Sequence, residues 1–140
     1  MKIILAKDQL KFVINHGIDE YPKEACGIFG GTIKEDKFII EKVYKVKNAS
    51  LTPYNSYLID PLDELYVFRD MEKNRLKMLG VYHTHPEKGV YPSLDDINHM
   101  LKDIFYLIIS IKLKDGLFLD IKGYIWNNNI LNDNISIVVI

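Results

Sequence analysis

The fold class this sequence predicts is α+β, a mixed sheet flanked by helices. Three observations lead there. Helical-period and β-rich segments alternate along the chain, and two of the strands are joined by a short hairpin rather than a crossover helix. The length, 140 residues, suits one core of ordinary size and excludes a TIM barrel. No Pro/Ser/Gly-rich linker, repeat or low-complexity block interrupts it, so residues 1–140 read as a single domain.

The elements follow in order. From Asp8 the apolar residues Leu10, Val13, Ile14 and Ile18 recur at helical spacing, with Asp8 as the expected N-cap and Gly17 weakening the far end. Residues 25–31 and 38–46 are β-rich runs separated by Lys34-Glu35-Asp36-Lys37, a hairpin pattern. Pro61 then opens a second helix, capped by Asp60, with Leu62, Leu65, Phe68 and Met71 as its expected apolar face. Residues 79–85 read as a strand that stops at Pro86, which has no N–H for a sheet ladder. A loop over 87–92 leads to a short third helix over 93–102, and runs at 105–111, 117–126 and 135–140 supply closing strands.

Composition narrows the function classes. Eighteen Lys and Arg balance nineteen Asp and Glu for a formal charge of −1, so no basic surplus points to nucleic acid or to acidic lipid. One cysteine forms no internal disulfide. The N-terminal run meets Lys7 and Asp8 too soon for a signal h-region, and no apolar run reaches membrane-span length. The expectation is a soluble cytoplasmic protein, with neither nucleic acid nor membrane as partner.

Chemistry concentrates in one stretch. His83 and His85 stand at i and i+2 on a predicted strand, so both imidazoles face one side while Thr84 faces the other. That pair is a ready chelate. Zinc accepts imidazole nitrogen at about 2.0–2.1 Å, and a catalytic site adds a third protein ligand while leaving one position to water. Asp95, Asp96 and His99 all follow within reach, and spacing alone does not choose among them. Each piece also has a plainer reading: the histidines as a hydrogen-bonded pair without metal, and Ser93-Leu94-Asp95-Asp96 as a capping box that starts a helix. Glu24, taken alone, reads as a solvated residue ahead of an apolar strand, Cys26 as core, His16 as surface, and His99 as a helix-face or supporting residue. Rival patterns are missing: there is no His-Glu-x-x-His, no cysteine cluster for structural zinc and no phosphate-loop motif.

The combination is more specific than its parts. Gly80-Val81-Tyr82-His83-Thr84-His85-Pro86, six residues, then Ser93-Leu94-Asp95-Asp96 has the form His-x-His-Pro-x6-Ser-x-x-Asp. It resembles the signature of the JAMM (MPN+) zinc metalloproteases. Pro22-Lys23-Glu24-Ala25-Cys26-Gly27, ahead of an apolar strand, resembles the upstream glutamate motif of the same family. The resemblance implies a single MPN/JAMM-like, cytidine-deaminase-like domain of a small prokaryotic type. It also implies Zn2+ held by His83, His85 and Asp96, Glu24 as the general base acting on a metal-held water, and Ser93 as donor to the tetrahedral oxyanion. The only departure is mild, Thr84 standing where serine is often seen between the histidines.

By the same resemblance the substrate would be the C-terminal tail of a ubiquitin-like or sulfur-carrier protein, cut at a peptide or isopeptide bond. An extended tail is expected to add to a sheet edge near the metal, and residues 48–57, with Asn55, Ser56 and Tyr57, are a candidate edge. Two other readings stand beside it. One is a non-catalytic MPN-type scaffold, whose usual mark, loss of the ligands, this chain lacks; the other is a metal-dependent hydrolase of small amides.

Overall fold

The computed structural model describes residues 1–140. The elements in chain order are β1 (Lys2–Leu5), α1 (Lys7–Glu20), β2 (Cys26–Lys34), β3 (Lys37–Val46), α2 (Pro61–Lys73), β4 (Lys77–Pro86), α3 (Leu94–Asn98), β5 (Phe105–Lys112), β6 (Phe118–Asn127), β7 (Ile130–Asn132) and β8 (Ser136–Val139). The strands form one eight-stranded mixed sheet in the order β7-β6-β5-β4-β2-β3-β1-β8. β4 lies inside it, antiparallel to β2 and parallel to β5, with Cys26 opposite His83 and His85 opposite Ser110. The expected α+β class is the observed one. No helix is long and apolar enough to cross a membrane.

Strand alternation sorts the core into two faces. On the α1 side, Val13, Phe29, Leu79, Tyr82, Phe105 and Ile111 form the larger cluster, where full burial contributes roughly 1.5–3 kcal/mol for each Phe or Leu. On the α2 side, Cys26, Ile28, Tyr44 and Val46 pack against Val67 and Met71, joined at the edge by Tyr57 and Ile59. Cys26 is core, as expected.

Several expectations change. Helix α1 begins one residue before Asp8: Ala6 is the N-cap, its N–H donating to the Gln9 side chain at 2.8 Å, and Asp8 sits in the first turn, where its charge suits the helix dipole. This helix runs on to Glu20 and does not end at Gly17. A Cβ there would lie 2.4 Å from Ile111 Cδ1 and 2.7 Å from Thr84 Cγ2, so the glycine lets α1 settle directly on β4 and β5. That contact also buries His16, read from sequence as a surface residue, whose Nδ1 lies 2.7 Å from the Tyr82 hydroxyl.

Asp60 caps α2 as predicted, accepting from the Asp63 N–H. Its apolar face is the predicted one only at Met71. Val67 and Met71 face the sheet, whereas Leu62 is 77% exposed and Leu65 and Phe68 are also exposed. The buried stripe runs from Met71 back through Val67 rather than through Phe68, a choice the sheet makes and the helical period leaves open. α3 is five residues rather than ten. β1 and β7 were not expected; both are short, and β1 owes its order to pairing with β3 and β8.

Gly27 makes room for Tyr82, whose ring would lie 2.1 Å from a Cβ at that position. Gly27→Ala is therefore expected to lower stability by about 1–3 kcal/mol through overpacking, read as a lower urea midpoint; an unchanged midpoint would mean the ring moves aside freely.

Candidate active site

The end of β4 places His83 and His85 on the α2 side of the sheet, fully or almost fully buried. Thr84 faces α1, as alternation requires, and its Oγ1 accepts the Ala25 N–H at 2.8 Å. The proline that ends β4 is followed by Glu87, whose φ of 58° turns the chain back over the strand. The turn brings the Gly89 carbonyl to 2.8 Å from His85 Nδ1. A carbonyl only accepts, so Nδ1 carries the proton and the Nε2 of a neutral His85 presents a lone pair.

Ser93 caps α3. Its Oγ accepts the Asp96 N–H at 3.0 Å, and Asp96 Oδ2 accepts the Ser93 N–H at 2.9 Å. The capping box thus forms, and it aims Asp96 inward. Oδ2 lies 3.2 Å from both His83 Nε2 and His85 Nε2, and the two nitrogens are 3.0 Å apart. Asp95 and His99 are exposed, so of the three acidic or imidazole candidates only Asp96 meets the histidines. His99 ends α3, with Nδ1 at 2.7 Å from the Asp95 carbonyl.

Glu24 is 2% exposed, not solvated. Its N–H donates to Pro53 O at 2.7 Å, and its carbonyl accepts from Asn48 Nδ2 at 2.9 Å. Its side chain is free: Oε1 is buried without a partner, and a carboxylate oxygen of Glu24 lies within 4.8 Å of the donor nitrogens of His83 and His85. Burial pushes the Glu24 carboxyl up, to about 7, against the pull of His85. Burial holds His83 below the usual imidazole range. For His85 burial also acts downward, but the hydrogen bonds to Asp96 and Gly89 outweigh it and the net shift is upward. Burial would raise Asp96, yet the two histidines reverse this and hold it well below ordinary carboxylates.

Three electron-rich atoms within 3.0–3.2 Å of one another are stable only with a proton or a cation among them. Tetrahedral zinc with ligand bonds of about 2.0–2.1 Å needs donors roughly 3.3–3.4 Å apart. The triangle is close to that spacing, and its imidazole-carboxylate set suits the ion.

The loop that carries Gly89 is cross-tied. Glu87 Oε2 accepts from the Tyr21 hydroxyl at 2.7 Å and the Leu113 N–H at 2.6 Å, which keep this carboxylate below its ordinary range. Ser110 Oγ donates to Lys88 O, and Tyr124 donates to Val90 O at 2.9 Å. Residues 48–57 do not form the expected strand edge. A single bridge pairs Asn48 with Ile59, and the residues between turn on themselves because Asn48 Oδ1 and the hydroxyls of Ser50, Thr52 and Ser56 take up local backbone and side-chain hydrogen bonds. Tyr57 from this loop stacks on His83, with ring centroids 4.4 Å apart and planes 22° apart. Neither Glu87, Gly89 nor Tyr57 sits in a spacing that marks it from sequence.

A cleft of about 660 Å³ opens beside Asp96, lined by Leu51, Leu58, Phe68, Leu101 and Tyr106 among others. Leu51 is 99% exposed and Leu58 and Leu101 more than half exposed, an unusual concentration of bare apolar side chains beside the buried Asp96.

The family model for prokaryotic homologs of the JAB domain matches residues 7–122. The chain belongs to the prokaryotic JAB family. Over 95 residues it is 32% identical to a Thermus thermophilus protein named a probable TtuB-protein conjugate cleaving protease, covering 68% of this chain and 61% of that one. The match thus spans less than two thirds of that relative's length. Identity is 28% over 109 residues to the CysO-cysteine peptidase of Mycobacterium tuberculosis, covering 77% and 73% of the two chains. It is 26% over 99 residues to the desampylase of Haloferax volcanii, covering 68% and 70%. Among solved structures, a Desulfitobacterium hafniense protein determined in solution superposes with a TM-score of 0.86 at 29% identity, over 100% of this JAB-family chain and 93% of that one.

Glu24 gives a pH test in the metal-free protein. Below its ordinary 4.5 the carboxyl is neutral both folded and unfolded, and burial carries no charge penalty. Between 4.5 and about 7 only the unfolded state ionises freely, so wild-type stability falls by roughly 3 kcal/mol across that window and levels off above it. Glu24→Gln removes the penalty. Urea denaturation of both proteins from pH 4 to pH 8 should show their stability difference opening in that window, in favour of the variant.

Proposed function

We propose that this chain is a zinc-dependent JAMM-type hydrolase that cleaves a peptide or isopeptide bond at the C-terminal tail of a ubiquitin-like or sulfur-carrier protein. The observation that carries the reading is the buried triangle of His83 Nε2, His85 Nε2 and Asp96 Oδ2, with the unpartnered Glu24 carboxylate beside it. Relatives named for cleaving TtuB conjugates and CysO-cysteine, and a desampylase, support the substrate class.

His83, His85 and Asp96 would hold the ion. Bound there, zinc supplies Lewis acidity toward a scissile carbonyl and toward a water. Glu24 takes the proton from the attacking water and returns it to the leaving amine. A carboxyl raised to about 7 suits both directions of transfer near neutral pH. Its burial also keeps bulk water from competing for that proton. Ser93 Oγ accepts from the Asp96 N–H, and its own hydroxyl proton has no protein acceptor, so it is free to donate to the developing oxyanion. The apolar cleft receives the tail, where Leu51, Leu58 and Leu101 exchange exposure to water for contact with the substrate. The reading places the enzyme in the cytoplasm, where Cys26 stays a reduced core thiol.

Zinc quantification and mass spectrometry of tail peptides and intact Gly-Gly-ended carriers test this together. Wild type should bind one zinc and shorten a tail, and chelation should abolish cleavage. Glu24→Gln is expected to keep its zinc and lose about 100-fold or more in kcat; equal turnover in the two proteins would remove Glu24 from its role. His85→Ala should lose stoichiometric zinc. Ser93→Ala is expected to keep the metal and turn over about 100-fold more slowly, and a wild-type rate would leave Ser93 as a helix cap only.

A further inference from the structure

His85 and His83 are held in different ways. The Nδ1 of His85 is anchored by the Gly89 carbonyl at 2.8 Å, whereas the Nδ1 of His83 is buried with no partner at all. Metal-binding imidazoles ordinarily have their second nitrogen fixed by a hydrogen bond that sets the ring's orientation. What fixes the His83 ring is a face: Tyr57 lies nearly parallel to it at 4.4 Å. The position of Tyr57 is itself built. Asn48 Nδ2 bridges the carbonyls of Glu24 and Ser56, and the Ala49 N–H donates to Leu58 O at 2.7 Å, so the loop is tied to the base of the site on both sides of Tyr57.

The Tyr57 hydroxyl is the other half of the observation. The remaining tyrosines that are not exposed, Tyr21, Tyr44, Tyr82, Tyr106 and Tyr124, each have a protein hydrogen-bond partner. Tyr57 has none, and it lines the cleft together with Asp96. A half-buried phenol normally finds a partner, and because Tyr57 lines the cleft, this residue comes within reach of a molecule that enters the cleft. A peptide drawn along it presents carbonyl oxygens, acceptors that match an O–H donor.

We propose that Tyr57 is a further catalytic residue of this site, its ring bracing the His83 imidazole and its hydroxyl donating a hydrogen bond to a backbone carbonyl of the substrate tail. The proposal rests on the hydrolase reading above. The two roles separate by substitution. Tyr57→Phe keeps the ring and loses the donor; Tyr57→Leu loses both.

The test measures zinc affinity by competition with a chromophoric chelator, thermal melting, and kcat/KM on a tail peptide. Tyr57→Phe is expected to match wild type in zinc affinity and melting temperature and to lose about tenfold in kcat/KM. Tyr57→Leu is expected to bind zinc about tenfold more weakly as well. A Phe variant with wild-type kcat/KM overturns the hydroxyl's role, and a folded Leu variant with wild-type zinc affinity overturns the brace. If the Leu variant unfolds before titration, the Phe variant still decides the hydroxyl, the half that defines Tyr57 as catalytic. A wild-type protein that binds zinc and cleaves no tail overturns the hydrolase reading and the hydroxyl's role with it, while the zinc affinities of the three proteins still decide the brace.

Discussion

Everything at this site depends on keeping three electron-rich atoms gathered around a shared proton or cation inside a low-dielectric interior. Two imidazole nitrogens and a carboxylate oxygen at 3.0–3.2 Å would separate in a flexible chain. Here each is fixed from behind: His85 by the Gly89 carbonyl, Asp96 by the Ser93 N–H, and both histidines by a strand buried between β2 and β5. The oxygen that caps the helix is the same one that meets both histidines, Asp96 Oδ2. The bond that starts α3 therefore also orients Asp96, which is why so short a helix serves the site.

The neighbouring carboxylate follows from a second constraint. Glu24 sits where the chain enters β2, and backbone bonds to Pro53, Asn48 and Thr84 grip residues 24 and 25. With the backbone so occupied, the side chain points into the site without a partner of its own. Loss of hydration lifts its affinity for protons into the neutral range, the property a proton carrier needs. On the proposed reading, burial alone would thus suit an ordinary glutamate to the work of a base.

What could be read from the sequence was what local chemistry decides. The His-x-His alternation, the Ser93 cap, the Asp60-Pro61 helix start and the hairpin at 34–37 rest on neighbours within a few residues, and each is present in the structure. What could not be read depends on partners far along the chain. His16 is buried because Gly17 lets a helix touch β4 and β5, and α2 turns Val67 rather than Leu65 inward because the sheet offers Ile28 and Tyr44 as neighbours. The choice of Asp96 over Asp95 came from resemblance, and capping geometry supplies the physical reason for it. Residues 48–57 read as an edge strand because their backbone demand was invisible; Asn48 and three hydroxyls meet that demand locally.

The clamped turn after β4 has one more implication. Glu87, in the left-handed region, ties the end of α1 to the end of β5 through Tyr21 and Leu113, while Lys88 and Val90 are held by Ser110 and Tyr124. The scaffold behind His85 has therefore surrendered its freedom at folding, before any cation arrives. On the proposed reading, an ion held in such a rigid cradle would be discriminated by size and preferred angles rather than by how far the protein can bend to suit it. Larger ions that want six or more oxygens would find neither the space nor the slack.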